Sequence, residues 1–273
     1  MLKVFMGLIL AVVMMIPSLT SAKSQSVWID GDHGKLAAVI QTPEGKATYP
    51  MVMILHGFTS EKNFELLTTL AIDLEAAGIA SIRFDFNGHG ESEGNFSDMT
   101  VLNEIEDAKK VYEYVRKLPE VTSIGIAGHS QGGVVTSMLA GKIGTKKISA
   151  IALMAPAAVL REDAIRGNLF DVHYDPLNPP ETVEIFGGYQ VGRNYIVTAQ
   201  NLPIYDTAKK YKGSALMVHG TGDTTVPYTY SIRYKNIYKN GRLEFLKGFD
   251  HGFSQDIPKT AKIVADYFAR KLK

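Results

Sequence analysis

The 273-residue sequence contains no cysteine and a single tryptophan. Without cysteine the chain cannot have a disulfide framework, a thiolate-ligated zinc site or a cysteine nucleophile. It also has no excess of either charge, because 29 Lys and Arg residues stand against 28 Asp and Glu residues. A basic surface for binding nucleic acid is therefore not expected. The hydrophobic content of 45% is too high for a disordered chain and is sufficient for a large core.

A long apolar run occurs at the N-terminus, where residues 4–16 are apolar apart from Gly7. Lys3 precedes the run, and the small residues 20–22 follow it after a proline. This pattern is typical of a cleavable secretory signal peptide, here residues 1–22, whereas a membrane anchor needs about 20 apolar residues. We expect residues 23–273 to form a secreted or periplasmic protein without stable membrane association after cleavage.

The rest of the chain alternates between strand-like and helix-like segments, beginning with an antiparallel pair at 27–30 and 35–41. Further strands are expected at 50–55, 79–84, 123–127, 150–154, 214–218 and 242–246, and helices at 63–77, 100–118, 131–142, 230–238 and 258–272. Such alternation predicts an α/β fold, with a mostly parallel central sheet and helices on both of its faces.

One segment interrupts this alternation. Residues 156–205, after the sixth predicted strand, are rich in proline and aromatic residues and show no regular period. Ordered insertions of this size usually have a function, such as a lid or cap over a site. We therefore predict one domain, residues 23–273, with a small cap inserted at about 156–205.

The segment Gly128-His129-Ser130-Gln131-Gly132 matches the pattern G-x-S-x-G between a predicted strand and a predicted helix. Glycines permit a sharp turn there, which lifts the serine Oγ above the edge of the sheet. The N-terminus of the following helix adds partial positive charge that stabilises an oxyanion. Ser130 is the predicted nucleophile, and a glycine-rich turn with an idle serine is the alternative that this context disfavours.

A serine nucleophile needs a histidine base that is oriented by a carboxylate, and here the chain order is serine, acid, histidine. His251 lies next to glycine in a loop before the last helix and is the predicted base, whereas His219 ends an apolar strand and is expected to be structural. Asp223, in the loop after that strand, is the predicted acid. Asp250 competes, but a residue adjacent to the base points elsewhere.

Two backbone N–H groups are expected to form the oxyanion hole. One belongs to Gln131, which follows the nucleophile, and the other to Phe58, in the loop after the third strand. His56, at the start of that loop, is expected to brace it.

The chain resembles the α/β-hydrolases over nearly its whole mature length, and within that superfamily it resembles the cinnamoyl (feruloyl) esterases. The segments that carry the resemblance are HGFTSEKN (56–63), RFDFNGHGES (83–92), GHSQGG (128–133), APAAVLREDAIRGN (155–168), AQNLPIYD (199–206), HGTGDTTVP (219–227) and FDHGF (249–253). In these esterases, polar side chains of the cap hydrogen-bond the phenolic hydroxyls of a hydroxycinnamate. The resemblance implies that Asp163 and Tyr195 hold the ring oxygens, while a glutamine of the family falls on Phe170.

The sequence thus predicts a secreted serine esterase that releases ferulic-type acids from plant polysaccharide esters through an acyl-enzyme, without a metal or organic cofactor. Its partner would be a small-molecule or polysaccharide-linked aromatic ester. A short-acyl carboxylesterase and a dipeptidyl-type serine peptidase share the same chemistry and remain alternatives. A non-catalytic binding protein is disfavoured, because binding does not need all three triad residues. The oligomeric state stays open, with a homodimer as one option.

Overall fold

The computed structural model describes residues 23–272, so the predicted signal peptide lies outside the described residues. The strands are β1 Lys23–Asp30, β2 Lys35–Thr42, β3 Tyr49–Leu55, β4 Ala80–Phe84, β5 Val121–His129, β6 Ala150–Met154, β7 Asn168–Leu169, β8 Val172–His173, β9 Thr182–Glu184, β10 Gln190–Gly192, β11 Ser214–Gly220 and β12 Gly241–Leu246. The helices are α1 Glu65–Ala76, α2 Val101–Val115, α3 Gln131–Ile143, α4 Val159–Arg166, α5 Arg193–Gln200, α6 Ile204–Ala208, α7 Thr229–Ile237 and α8 Ile257–Lys271.

An eight-stranded sheet with the order β1-β2-β4-β3-β5-β6-β11-β12 forms the centre of the fold. Within this sheet, β1 and β2 pair antiparallel, as do β2 and β4. The remaining neighbours in the sheet, β4-β3, β3-β5, β5-β6, β6-β11 and β11-β12, are parallel. Separate apolar layers cover the two faces, one containing side chains of α2 and α3 and the other side chains of α1 and α8. The predicted α/β fold is confirmed.

Two of the helices, α2 and α8, begin at side-chain caps that the sequence supplies. The Thr100 side chain accepts a hydrogen bond from the Asn103 N–H and so caps α2. Asp256 caps α8 through the Lys259 N–H, and Pro258 occupies the first turn, where its missing N–H is not needed. These caps fix where the chain enters the helices that cover the sheet.

The insertion after β6 contains short elements that the irregular sequence pattern did not predict. They are α4, the hairpins β7–β8 and β9–β10, and the helices α5 and α6. Each of these elements has eight residues or fewer, which is too short to leave a clear hydrophobic period.

Two of the places where the insertion meets the core show how it is attached. At Gly141 of α3, a Cβ would collide with the carbonyl of Thr207 in α6, so the two backbones touch directly. At the other place, the Tyr195 hydroxyl of α5 donates to Gln131 Oε1 at 2.7 Å. Gln131 Nε2 in turn donates to both carboxyl oxygens of Glu104 on α2, at 2.9 and 3.0 Å. The second attachment therefore depends on a buried polar chain.

No helix in residues 23–272 combines the length and the apolar character that are needed to cross a membrane.

Glu104 gives this attachment a testable pH dependence. Its side chain is 1% exposed, and burial, together with the nearby Asp107 charge, raises its pKa to about 8. Between about pH 4.3, the ordinary glutamate value, and pH 8, the folded protein keeps a proton that the unfolded chain releases, so stability falls as pH rises. Glu104→Gln removes this slope. As pH rises, we expect the free energy of unfolding of the variant to increase relative to that of the parent by up to about 1.4 kcal/mol per pH unit.

Urea unfolding at pH 5, 6.5 and 8 measures this difference. Glu106→Gln on the same helix is the matched control, because Glu106 is partly exposed and pairs with Lys109 at 2.8 Å. A parent–variant difference for Glu104→Gln that stays constant with pH would show that the buried carboxyl is ionised throughout.

Candidate active site

Ser130 lies at the turn between β5 and α3 in a strained backbone conformation. Its φ is 55° and its ψ is −122°, a region that residues with a Cβ rarely adopt. The Ser130 N–H donates to the Met154 carbonyl at 2.9 Å, and its own carbonyl accepts from Gly133 and Ala157. These backbone bonds hold the turn, so the serine side chain is presented at the carboxyl end of the sheet.

Three glycines make this turn possible through close backbone approach. A Cβ on Gly128 would collide with the Gly132 carbonyl, and a Cβ on Gly132 would collide with the His56 carbonyl. A Cβ on Gly57 would lie 2.8 Å from the Ser130 Cβ. The loop after β3 therefore packs directly against the serine, as the predicted oxyanion hole requires.

In the structure, the side chains of Ser130, His251 and Asp223 form one hydrogen-bonded chain, the row of contacts from Ser130 through His251 to Asp223. His251 Nε2 lies 2.9 Å from Ser130 Oγ, and His251 Nδ1 lies 2.7 Å from Asp223 Oδ2. Because Asp223 is a carboxylate acceptor, Nδ1 carries the proton and Nε2 is free to accept the serine proton. This is the geometry of a nucleophile with an oriented base.

Asp223 keeps its charge although it is buried. Burial alone would raise the pKa of its carboxyl, but hydrogen bonds from His219 and His251 hold that pKa well below its usual range. Its Oδ1 also accepts the N–H groups of Thr225 and Val226, at 2.9 and 2.8 Å. Asp250, the competing acid, bonds instead to Ser254 within its own loop.

The loop that carries Phe58 is fixed at both ends. His56 Nε2 accepts from the Phe86 N–H at 3.0 Å, so the proton on Nδ1 donates to the Gly57 carbonyl at 2.8 Å. Further along, Lys62 makes two 2.6 Å bonds to the buried Asp85 carboxylate, through its backbone N–H and its Nζ. The loop thus holds a defined position beside the serine.

The Phe58 and Gln131 N–H groups, predicted to form the oxyanion hole, have no hydrogen-bond acceptor among residues 23–272. Both groups adjoin Ser130, one through its own peptide and one through the contact at Gly57. An N–H pair in this position can bind the oxygen of a tetrahedral intermediate.

Asp163 and Tyr195, the two cap residues that the resemblance implies as ligands of the ring, have different surroundings. The Tyr195 hydroxyl is buried and already donates to Gln131, so toward a ligand it can only accept. Asp163 is partly buried, and its charge, after the larger effect of burial, raises the pKa of the Tyr174 hydroxyl to about 12. Burial also raises the pKa of Asp163 itself.

Aromatic rings extend from Phe58 over the cap. Its ring centroid lies 5.2 Å from that of Phe170 and 5.4 Å from that of Tyr195, and Phe170 lies 5.0 Å from Phe186. Phe170 and Phe186 are 41% and 55% exposed, so their faces are available to a ligand. A planar aromatic group fits such a surface.

Two residues near the site have individual contacts that the sequence does not single out. His129 donates from Nε2 to the His251 carbonyl at 2.9 Å and so anchors the loop of the base, and burial lowers the pKa of His129 to about 3. The Tyr174 hydroxyl, close to Asp163, is buried without a partner in the described part of the chain. His129 occupies a variable position of the G-x-S-x-G pattern, and Tyr174 is one of many aromatic residues in the insertion, so neither gave a specific signal.

Residues 47–172 match the family described as serine aminopeptidase, S33. Among solved structures, Est1E from Butyrivibrio proteoclasticus with ferulic acid bound is 32% identical with a TM-score of 0.87, over 90% of this chain and 98% of that chain.

Among curated proteins, an uncharacterized 31.7 kDa protein from the traX-finO intergenic region of Escherichia coli is 33% identical over 36% of this chain and 35% of its own length. Lysophosphatidylserine lipase ABHD12 of Danio rerio is 24% identical over 81% of this chain and 59% of its own length. The chain thus spans between about a third and three fifths of the curated relatives that it matches.

Three observations indicate the same superfamily. They are the order of the central sheet, the position of Ser130 directly after β5, and the match to Est1E over almost all of that protein. The chain belongs to the α/β-hydrolase superfamily of serine hydrolases and resembles its feruloyl esterases.

Proposed function

We propose that this protein is a secreted serine esterase that hydrolyses hydroxycinnamate esters, such as feruloyl groups on plant polysaccharides. The row of contacts from Ser130 through His251 to Asp223, beside the aromatic surface of the cap, carries this proposal. The similarity to a structure with bound ferulic acid supports the substrate class.

In the acylation step, Ser130 Oγ attacks the ester carbonyl carbon while His251 Nε2 takes the hydroxyl proton. The carbonyl oxygen becomes an oxyanion and receives hydrogen bonds from the Phe58 and Gln131 N–H groups. Asp223 stabilises the imidazolium. The intermediate collapses, the C–O bond to the alcohol breaks, and His251 returns the proton to the leaving oxygen.

In the deacylation step, water gives a proton to His251 Nε2 as its oxygen attacks the acyl carbon. The second tetrahedral intermediate uses the same two N–H groups. When the bond to Ser130 Oγ breaks, the proton returns to the serine and the free acid leaves. No metal or organic cofactor takes part.

The cap suits the acyl group on two grounds. The exposed Phe170 ring of the cap lies 5.2 Å from the ring of Phe58, whose N–H is assigned to the oxyanion hole. Asp163 and the unpartnered Tyr174 hydroxyl, which interact with each other, are polar groups of the cap. A hydroxycinnamate has this combination of a planar apolar body and a phenolic end.

Secretion rests on the N-terminal pattern of residues 1–22. When the full chain is expressed in a bacterium, the exported protein should lack Met1 to Ala22. Intact-mass measurement of the periplasmic or extracellular fraction tests this. Full-length protein held in the membrane fraction would point instead to an uncleaved anchor.

Ser130→Ala should abolish methyl ferulate hydrolysis, because no other group on the row can form the acyl-enzyme. Removing a catalytic serine costs about 10⁴-fold or more in kcat. Ser149→Ala, an exposed serine next to the start of β6, is the control and should keep the parent rate. Hydrolysis by Ser130→Ala at the parent rate would overturn the proposed function.

Asp163→Asn tests the substrate class through the ratio of kcat/KM for methyl ferulate to that for methyl cinnamate, which lacks the phenol. Hydrogen bonds to charged groups contribute about 1.5–3 kcal/mol, so the ratio should fall about tenfold or more. Glu162→Gln, whose carboxylate pairs with Arg233 at 2.9 Å, should leave the ratio unchanged.

An unchanged ratio in Asp163→Asn would contradict the assigned ring contact. The same assay with short-acyl esters and aminoacyl amides separates the two alternatives. Preference for an aminoacyl amide would favour a peptidase, in agreement with the name of the matching family.

A further inference from the structure

The Asp223 carboxylate receives a second imidazole in addition to that of the base. His219 Nε2 lies 3.1 Å from Asp223 Oδ2, the same oxygen that His251 Nδ1 approaches to 2.7 Å. His219 and the Asp223 side chain are both fully buried. One carboxylate oxygen therefore stands between two histidine rings.

The surroundings of His219 fix which of its nitrogens carries the proton. Nε2 faces two acceptors, Asp223 Oδ2 and the Val226 carbonyl at 2.9 Å, so Nε2 must donate. Nδ1 of the neutral ring is then an acceptor. The Ser231 hydroxyl on α7, also fully buried, lies 2.7 Å from Nδ1 and donates to it. Ser231 thus holds His219 as the tautomer that Asp223 needs.

We propose that His219, held by Ser231, is a positioning residue that tunes the catalytic base through Asp223. Its Nε2–H occupies one lone pair of Oδ2 and directs the other toward His251. Because the donor also takes up part of the carboxylate's negative charge, Asp223 stabilises protonated His251 less strongly than it would alone. This inference rests on the proposed function in that it assigns Ser130, His251 and Asp223 to catalysis.

The pH behaviour expected from this arrangement depends on few groups. His219 bonds to Asp223 and interacts with His129, and burial lowers the pKa of His129 to about 3. His219 therefore acts on the hydrogen-bonded pair of His251 and Asp223.

The test compares the parent with three variants. His219→Phe removes the donor to Asp223, and His219→Gln supplies a side-chain amide that can donate in place of Nε2–H. Ser231→Ala removes the hydroxyl that holds His219 in the Nε2–H tautomer. Two rates are measured against pH, kcat/KM for methyl ferulate and labelling of Ser130 by a fluorophosphonate. The labelling rate needs the triad but not the ester specificity. Ser137→Ala, another fully buried helix serine, bonded to Tyr234 at 3.1 Å, is the matched control.

In His219→Phe, the acidic limb of both profiles should move up by about half a pH unit, because Asp223 then holds the protonated base more tightly. The plateau should fall about tenfold, well short of the roughly 10⁴-fold loss when a triad carboxylate is disabled. Ser231→Ala should shift the limb in the same direction by less. His219→Gln should restore most of the position of the limb, and Ser137→Ala should match the parent.

Profiles of His219→Phe and Ser231→Ala that coincide with the parent would overturn the inference while leaving the proposed function intact. If His219→Phe fails to fold, Ser231→Ala and His219→Gln decide the question, and an unchanged limb in Ser231→Ala overturns it. If Ser130 of the parent is not labelled at any pH, both the proposed function and this inference fail.

Discussion

The site depends above all on the close backbone approach around Ser130. Ser130, a non-glycine residue at φ 55°, donates its N–H to the Met154 carbonyl, and nearby glycines let the surrounding backbone approach it closely. Local strain of this kind costs about 1–3 kcal/mol and persists only where the surrounding structure enforces it. Here the parallel strands β3, β5 and β6 enforce it, because their carboxyl ends meet at the turn.

The remaining groups of the site reach this turn from separate loops. His56 and Asp85 hold the Phe58 loop against the serine, and His129 anchors the loop of His251. The cap contributes through Tyr195, whose hydroxyl bonds to the side chain of Gln131. Gln131 therefore contributes in two ways, because its N–H belongs to the proposed oxyanion hole and its side chain joins the cap to the buried Glu104.

Long periodic elements could be predicted from the sequence because each carries its own signal. Buried parallel strands such as Met51 to Leu55 are continuous apolar runs, and α2 shows a helical period with a capping threonine. Ser130, His251 and Asp223 could be selected because chain order and the strand-to-helix context restrict the choice, and the structure brings them together. The short cap elements left no period and were not predicted.

Contacts that depend on tertiary packing could not be predicted. His219 was expected to have a structural role because it ends an apolar strand, yet it lies on the triad carboxylate. Glu104 is spaced like any polar residue of an amphipathic helix, and only the packing of α2 on α3 buries it. Spacing along the chain reports the face of an element and not which side chains meet across two elements.

In the proposed reaction, Ser130 forms a covalent acyl-enzyme with a hydroxycinnamoyl group. Rapid acid quench of the protein with an activated feruloyl ester, followed by peptide mass spectrometry, tests it most directly. We expect the mass of one feruloyl group to be added to the peptide that contains Ser130, and the adduct to disappear as ferulic acid is released. Turnover without this adduct, or an adduct on another residue, would contradict the proposed mechanism.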